Sequence, residues 1–566
     1  MNIWRVNTRT QSLQIQSVPE GWERLGGRSL IAAVLLGDVP PTCDPLGPHN
    51  RLIFSVGLLV GHSLSSCDRL SIGAKSPLTG GVKESNAGGT SGTALAMLGI
   101  RALILEDQPA GSDWHVLHVS SSGVRFDPAG DIAGQGVNAS ARALIERYGD
   151  RAAIALIGPA GEMQLLTAGI QNLDKDHIPS RINARGGLGA VMGSKHIKAV
   201  VIDPTGCQRP SLAHPEAFRT AQKEYTESLL AQPTTPVYRD FGTAAIGSLS
   251  NTYGALPTRA FSAGQYEQYE ALSGETLRET ILARGGTGDP SHACMPGCVI
   301  RCSNAYTQTD GSPLVSPLEY ETIGLMGSNL GMTSLDDVAR LNSAANDLGV
   351  DTIDLGAALG VAIQAGLMNF GDVRRALELI DEIRQGTPLG RLLGSGAGLT
   401  GKVLGVTRVP VVKNQAISAY DPRAIKGTGV TYATSPQGAD HTAGLTIRAR
   451  VDHTSPAGQV ELSRKAQVNM AGYDSLGVCT FAGFGFAAAP HTLSALLNAC
   501  YDWQVSSDIL AELGKACLSM EREFNRRAGF TPADDRLPEW MTCEALPPTG
   551  AVFDVPADEL DGVFNW

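Results

Sequence analysis

The chain has 566 residues, 43% hydrophobic and 18% charged, which is apolar material for more than one core and too little charge for disorder. A formal net charge of −11 excludes nucleic acid and anionic membrane as main partners, because both need clustered Lys and Arg. No apolar run approaches the roughly 20 residues of a membrane-spanning helix, and polar residues interrupt the start MNIWRVNTRTQSLQIQSV too often for an export signal. A cytoplasmic protein is expected, whose ten Cys stay thiols or metal ligands.

Along the chain, the first 205 residues or so read as α+β. Alternating strands are predicted in IWRVN and LQIQSV, and apolar strands in RLIFSVGLL, RALILED, WHVLHVS, AAIALIG and KAVVID, with few, short helices. Four Gly-rich stretches between them look built to lie against a ligand: GGRSLIAA (26–33), SSCDRLSIGAKSPLTGG (65–81), SNAGGTSG (85–92) and SRINARGGLGAVMGSKHIKAVVID (180–203). The last combines two Arg, a Gly-rich turn, a short apolar helix and a strand, a combination suited to a phosphate. It is no dinucleotide fingerprint, since HIPSRINAR reads as no strand and the spacing is GxGxxxG; it is no P-loop, since Ser194 separates Gly193 from Lys195. From about Ala213 the pattern turns helical, over Glu216–Leu230, Leu335–Leu348, Gly356–Leu367, Val373–Ile383 and Ser506–Phe524. A strand-type piece, VTRVPVVKNQAIS, sets a second boundary near residue 410. The fold expected is α+β: a β-sheet-rich N-terminal domain (1–208), then two mainly α-helical domains (209–410 and 411–566), with no fixed-period repeat.

The sharpest local signal is HACMPGCVIRCSN, with Cys294, Cys298 and Cys302 at every fourth position of a Gly/Pro-broken loop. Three thiolates so spaced suit an iron–sulfur cluster, which needs four soft ligands and commonly takes the fourth from elsewhere. Cys479 in DSLGVCTFAG is the candidate. The paired CxxC units of zinc are missing, and a radical-type CxxxCxxC would need Cys where Arg301 stands. The bland alternatives are three metal-free thiols in a surface loop and, for Cys479, a small thiol at a helix end. Cys43, Cys67, Cys207, Cys500, Cys517 and Cys543 show no ligand spacing and read as structural.

Taken in order, GGRS, KSPLTGGVKESNAGG, ARGGLGAVMGSKHIKAVVI, the Cys triplet, EYETIGLMGSN, LGVDTIDLG, YATSPQGADH and DSLGVC resemble the aldehyde:ferredoxin oxidoreductase family over roughly residues 1–485. The resemblance implies tungsten, less often molybdenum, held by two pterins, a [4Fe-4S] cluster on Cys294, Cys298, Cys302 and Cys479, and Mg2+ bridging the pterin phosphates. It makes 1–208 the pterin-binding domain and carries cofactor contacts to Arg69, Asn86, Ala87 and Gly88, to Arg181, Ile182, Ala184 and Arg185, and to Asp351, Leu355 and Asp474. For acid–base work it points to Glu321, with Glu319 as the lesser candidate, and to His441; the alternatives are a helix cap for Asp351 and a structural role for a lone His. Three departures stand out. The spacing CxxxCxxxC replaces CxxCxxxC, which makes Cys294 the ligand least fixed by the family pattern. Gln437 stands where some relatives have Arg, and the Glu-x-x-His of an inter-subunit iron is not found, so that iron is not expected. The implied activity is oxidation of a small aldehyde to the acid, with electrons passing to ferredoxin or an Fe–S partner subunit, in an oligomer. Two other readings stand beside it: low-potential reduction of an aromatic thioester with the same cofactors, and a non-catalytic electron-transfer or scaffold subunit.

Overall fold

A computed structural model describes residues 1–566. Its first 203 residues build two six-stranded mixed sheets of the same topology. One, ordered β2-β1-β6-β3-β4-β5, holds β1 (Asn2–Asn7), β2 (Ser12–Ser17), β3 (Leu52–Val56), β4 (Leu70–Lys75), β5 (Val82–Ala87) and β6 (Ile100–Glu106). The other, ordered β11-β10-β9-β12-β7-β8, holds β7 (His115–Ser120), β8 (Gly123–Pro128), β9 (Ala153–Leu156), β10 (Ile170–Leu173), β11 (Pro179–Asn183) and β12 (Ile197–Asp203). Read from its β8 end, the second order repeats the first. Each sheet has one parallel pair, β1 with β6 and β7 with β12. Each also has a helix between its second and third strands (Gly27–Asp38, Val137–Tyr148) and a short one before its last (Ser91–Met97, Leu188–Ser194). The spacing hides this duplication from a fixed-period search: β7 starts 113 residues after β1 (115 − 2), but β12 starts 97 after β6 (197 − 100).

The seven expected strands fall on β1, β2, β3, β6, β7, β9 and β12. Five others do not read as strands, for a physical reason visible in β5 (VKESNA) and β11 (PSRIN): their charged residues are buried rather than solvated, Lys83 against Asp440, Arg181 against Ser303, and Glu84 pushed toward its neutral form by burial. HIPSRINAR therefore contains a strand, contrary to the sequence reading. The dinucleotide fingerprint is still not met, because β11 is an edge strand antiparallel to β10 and the helix that follows spans only Leu188–Ser194.

Beyond Pro215 the chain is mainly helical, apart from a three-stranded sheet (Asp289–His292, Ser303–Thr307, Pro313–Val315) flanking the Cys loop, and the long helices Pro215–Leu230, Leu335–Leu348, Thr352–Gln364, Val373–Gln385 and Ile509–Arg527 overlap the expected segments. The strand-type piece is only a ladder of Val411–Val412 with Gln415–Ala416. The largest core joins helices from before and after it, packing Leu355 and Leu359 with Ala416 and Tyr432. No helix is long and apolar enough to cross a membrane.

The GGRS segment, expected against a ligand, instead locks two elements together. A Cβ on Gly27 would lie 2.1 Å from the Asp474 carbonyl oxygen, and its φ of +48° suits glycine. The next residue, Arg28, is buried and donates two 2.8 Å hydrogen bonds to Glu521 on the Ile509–Arg527 helix and one of 3.2 Å to Asp474. Removing one partner of such a buried pair strands the other charge, so Glu521→Ala is expected to lower the unfolding free energy by about 3–5 kcal/mol. Urea denaturation followed by circular dichroism checks this; a loss below about 1 kcal/mol would mean that solvent or a neighbour replaces the carboxylate.

Candidate cluster and active site

Cys294, Cys298 and Cys479 are buried members of one apolar cluster, and Cys302 packs against it. The loop and the Cys479 segment are tied by Ser66, whose carbonyl accepts from Cys479 N (2.9 Å) and whose hydroxyl donates to Cys298 Sγ (3.2 Å). The bond from Cys294 and those from Ser66, Ile300 and Arg301 push Cys298 down to about 5, whereas burial, together with the charges of neighbouring thiols, holds Cys302 and Cys479 above the usual thiol range. Gly88, at the end of β5, lies so close that a Cβ there would meet Cys294 Sγ at 3.1 Å, and Gly89 N donates to Cys294 O.

Half-buried Arg69 stands between these thiols and a second group of polar residues. Burial works against its charge, but Cys479, Cys294 and Asp474 raise its pKa. Its guanidinium donates to Asn86 O (2.8 Å) and to the Asn86 side chain, and Asn86 Nδ2 donates to Asp474 Oδ1 (3.0 Å). Asp474, near the end of the Gln459–Leu476 helix, is pushed up to about 6 by burial, with Arg28 opposing. Behind it Glu84 is pushed up to about 8, by burial first and the Asp474 charge second. Ala87 is buried beside Gly88.

On the equivalent strand of the other sheet, Arg181 and Arg185 are buried while Ile182 and Ala184 are half-buried. Asn183 closes β11 onto the first sheet, donating to Leu70 O (3.1 Å) and Ser85 O (2.5 Å). Arg181 donates to Ser303 Oγ (2.7 Å) and lies 3.9 Å from Glu319. Arg185 spends all five of its N–H groups within the protein: on Asp351, Asp354, Ser418, Ala416 O and Ala439 O. Its side chain thus orients other groups, which leaves its backbone for any ligand. Asp351 caps the Thr352–Gln364 helix through Ile353 N and Asp354 N as well as meeting Arg185. Leu355 is wholly buried in the core, which leaves its backbone rather than its side chain for any ligand.

Glu321 and His441 come together: His441 Nε2 lies 3.3 Å from Glu321 Oε1. Glu321 Oε2 accepts from Ala419 N (2.7 Å), whereas buried Oε1 has no hydrogen-bond partner. Burial pushes Glu321 above the usual carboxylate range, partly offset by His441. Tyr320 donates to Ala419 O (2.6 Å), so one helix start grips residue 419 twice, and the π-helical turn Ile323–Gly327 follows at once. His441 Nδ1 lies 3.0 Å from Ser418 Oγ, which also accepts from Arg185. Glu319 lies elsewhere, bonded to Thr243 and near Cys302 and Arg181.

Comparison with known proteins gives the arrangement a family. The description "Aldehyde ferredoxin oxidoreductase, N-terminal domain" matches residues 3–204, and "Aldehyde ferredoxin oxidoreductase, domains 2 & 3" matches residues 220–562. The chain belongs to the aldehyde ferredoxin oxidoreductase family. Like other members, it is an oxidoreductase. It is similar to the tungsten-containing aldehyde ferredoxin oxidoreductases of Pyrococcus horikoshii (31% identical, covering 96% of this chain and 92% of the relative) and Thermococcus kodakarensis (30%, 96% and 91%). An aliphatic sulfonate oxidoreductase, WOR-like subunit, of Pyrococcus furiosus is 26% identical over 81% of this chain and 74% of its own length. Among solved structures, the active site complex BamBC of benzoyl coenzyme A reductase with 1,5-dienoyl-CoA shares the fold, with a TM-score of 0.79 at 19% identity over 95% of this chain and 90% of that one.

Within this aldehyde ferredoxin oxidoreductase family fold, sequence reasoning missed a buried ionic chain that runs behind the site. From Arg28 and Glu521 it passes to Gln437, which donates to Glu521 (3.1 Å) and accepts from Lys83 (3.3 Å), and Lys83 reaches Asp440 at 2.5 Å. Gln437, where some relatives have Arg, is therefore a link in this chain. Burial raises Asp440, yet Lys83 and Arg185 overcome it and hold the carboxyl well below its usual range. Lys83, on a strand the sequence did not reveal, carried no signal; Asp440 stands next to His441 in GADH and could have been found from it.

Proposed function

We propose that this chain oxidises aldehydes to carboxylic acids, R-CHO + H2O giving R-COOH + 2 H+ + 2 e−, at a tungsten bis-pterin centre. The electrons leave singly through a [4Fe-4S] cluster to a ferredoxin or ferredoxin-like Fe–S subunit. One observation carries the reading: the continuous line from four adjacent thiols through Arg69 and Asn86 to Asp474. The residues fit both groups. Four soft donors share one buried cluster, and Arg69, Asn86, Ile182 and Ala184 are half-buried in an otherwise buried interior. Buried polar atoms there, Arg181 Nε, Glu84 Oε1, Glu321 Oε1 and the Tyr432 hydroxyl, lack a partner within the protein. The two matching sheets also present their β5 and β11 stretches as a pair, as two similar ligands would require.

Cys294, Cys298, Cys302 and Cys479 would hold the cluster; Arg69, Asn86 and Asp474 one pterin; Arg181, Ile182, Ala184 and Asp351 the other. When bound, the metal–pterin centre supplies a two-electron acceptor and the cluster a one-electron relay. The protein supplies the proton handling. Glu321 Oε1, free of other bonds, takes a proton from the attacking water, and its raised affinity for that proton makes it an effective base near neutral pH. His441 Nε2 stands ready at 3.3 Å to move the proton on, and Arg185 keeps Asp351 and Ser418 in place. Anaerobically purified protein is expected to contain tungsten or molybdenum with about four iron per chain, and to reduce a low-potential dye when given an aldehyde. Absence of both heavy metal and pterin would refute the proposal.

A further inference from the structure

Over the Cys294–Cys302 loop the surface is apolar at its centre and basic at its rim. Phe481, two residues past Cys479, stacks on Tyr238 with ring centroids 4.1 Å apart, and Phe484 lies 6.4 Å from the same ring. Beside them Val237 is 45% exposed. A cavity of about 610 Å³ adjoins, lined by Leu249, Tyr253 and the segment 447–452, where Val451 is 47% exposed.

Four arginines border this surface. Arg239 donates to Val299 O (2.9 Å) within the cysteine loop. Arg301, exposed between Cys298 and Cys302, anchors its Nε on Ser291 O (2.8 Å) and leaves its terminal nitrogens free. Its φ of +56° is one that glycine would adopt more easily. Arg448 lies 5.0 Å over the Tyr238 ring and donates to its hydroxyl, and Arg450 lines the cavity beside it. These bonds go to carbonyls and a phenol, whereas the exposed Arg219, Arg259, Arg340 and Arg526 each sit against a carboxylate. Of the nearby acids, Asp240 faces Arg278 at 3.6 Å, Asp452 lines the cavity with Arg448 and Arg450, and Asp289 accepts from Ser291 N beside the Arg301 anchor. None of the four has a carboxylate at ion-pair distance, in a chain whose net charge is −11.

We propose that this face docks a small acidic electron-carrier protein, whose carboxylates meet Arg239, Arg301, Arg448 and Arg450 around apolar contact with Val237 and Phe481. An apolar centre with a charged rim is the usual anatomy of such contacts, and the rim charges set encounter rate and salt dependence. The inference rests on the reading that these thiols hold the cluster from which electrons leave. Each docking removes one electron, reducing the oxidised cluster of the carrier, so one aldehyde needs two dockings.

The probe is a purified acidic ferredoxin with two [4Fe-4S] clusters, titrated against the full-length protein by biolayer interferometry at about 0.05 M and about 0.5 M salt. The double variant Arg448→Glu/Arg450→Glu is expected to raise Kd by about thirtyfold or more at low salt, Arg448→Gln/Arg450→Gln by less, and all forms to converge at high salt. Aldehyde-dependent reduction of a small uncharged dye is expected to be unchanged in both. Equal Kd values at low salt, no binding by the parent protein, or affinity that grows with salt would each overturn the proposal. Loss of dye reduction in the parent protein would refute the functional reading alone, because Kd reports docking without turnover.

Discussion

Cys298→Ser is expected to take iron from about four per chain to below about one, and to abolish the low-temperature electron paramagnetic resonance of the reduced protein. The Cys298 thiolate is stabilised by the Ser66 hydroxyl, which donates to its Sγ at 3.2 Å, and by the Ile300 and Arg301 backbone. A serine hydroxyl offers no comparable anion and is a harder donor. Cys67→Ser is the control. That thiol is equally buried nearby, but it sits 3.8 Å from the Tyr225 hydroxyl and burial holds it well above the usual range, so its iron content is expected to stay full. The same measurement on Cys294→Ser decides whether the CxxxCxxxC spacing uses its first member. Full iron in Cys298→Ser would remove the basis of the cluster assignment.

Glu321→Gln is expected to lower kcat by about 10²–10⁴, the range for loss of a positioned general base, with tungsten, pterin and iron contents unchanged. The amide oxygen can still accept from Ala419 N, so the fold around it keeps its clamp while the proton acceptor is lost. The pH dependence follows from the sign of the shift. Burial raises the Glu321 pKa, and the working form is the carboxylate, so parent activity climbs as pH rises through that raised value; the Gln variant loses this ascending limb. Glu319→Gln is expected to keep it, since Glu319 lies beside Thr243 and Cys302. A Glu321→Gln enzyme with an unchanged profile would move the base elsewhere.

The Cys triplet stands out in the sequence because its spacing is local, three Cys in nine positions, whereas Glu321 and His441 are singled out only through the resemblance carried by EYETIGLMGSN and YATSPQGADH. What was hidden depends on partners far along the chain. VKESNA carries no strand signal because what buries it is remote: Lys83 meets Asp440, and Glu84 is buried and pushed toward its neutral form beside Asp474. GGRS looks like a ligand cradle until Gly27 is seen against the Asp474 carbonyl. Arg185 looks like a phosphate ligand until five acceptors from three segments take every donor it has. Periodicity finds helices such as Leu335–Leu348 to the residue, because one apolar face repeats within a few turns. It has no access to a strand whose polar side chains are neutralised from the other end of the molecule.

Arg28 and Glu521 are 493 residues apart, and Asp474 completes their triangle. At ordinary ribosomal speeds of about 5–20 residues per second, the stretch between them takes about 25 to 100 seconds to make, so Arg28 waits that long for this acceptor. A chain that stops before residue 521 keeps the Asp474 contact but leaves the buried Arg28 guanidinium with one carboxylate in place of two.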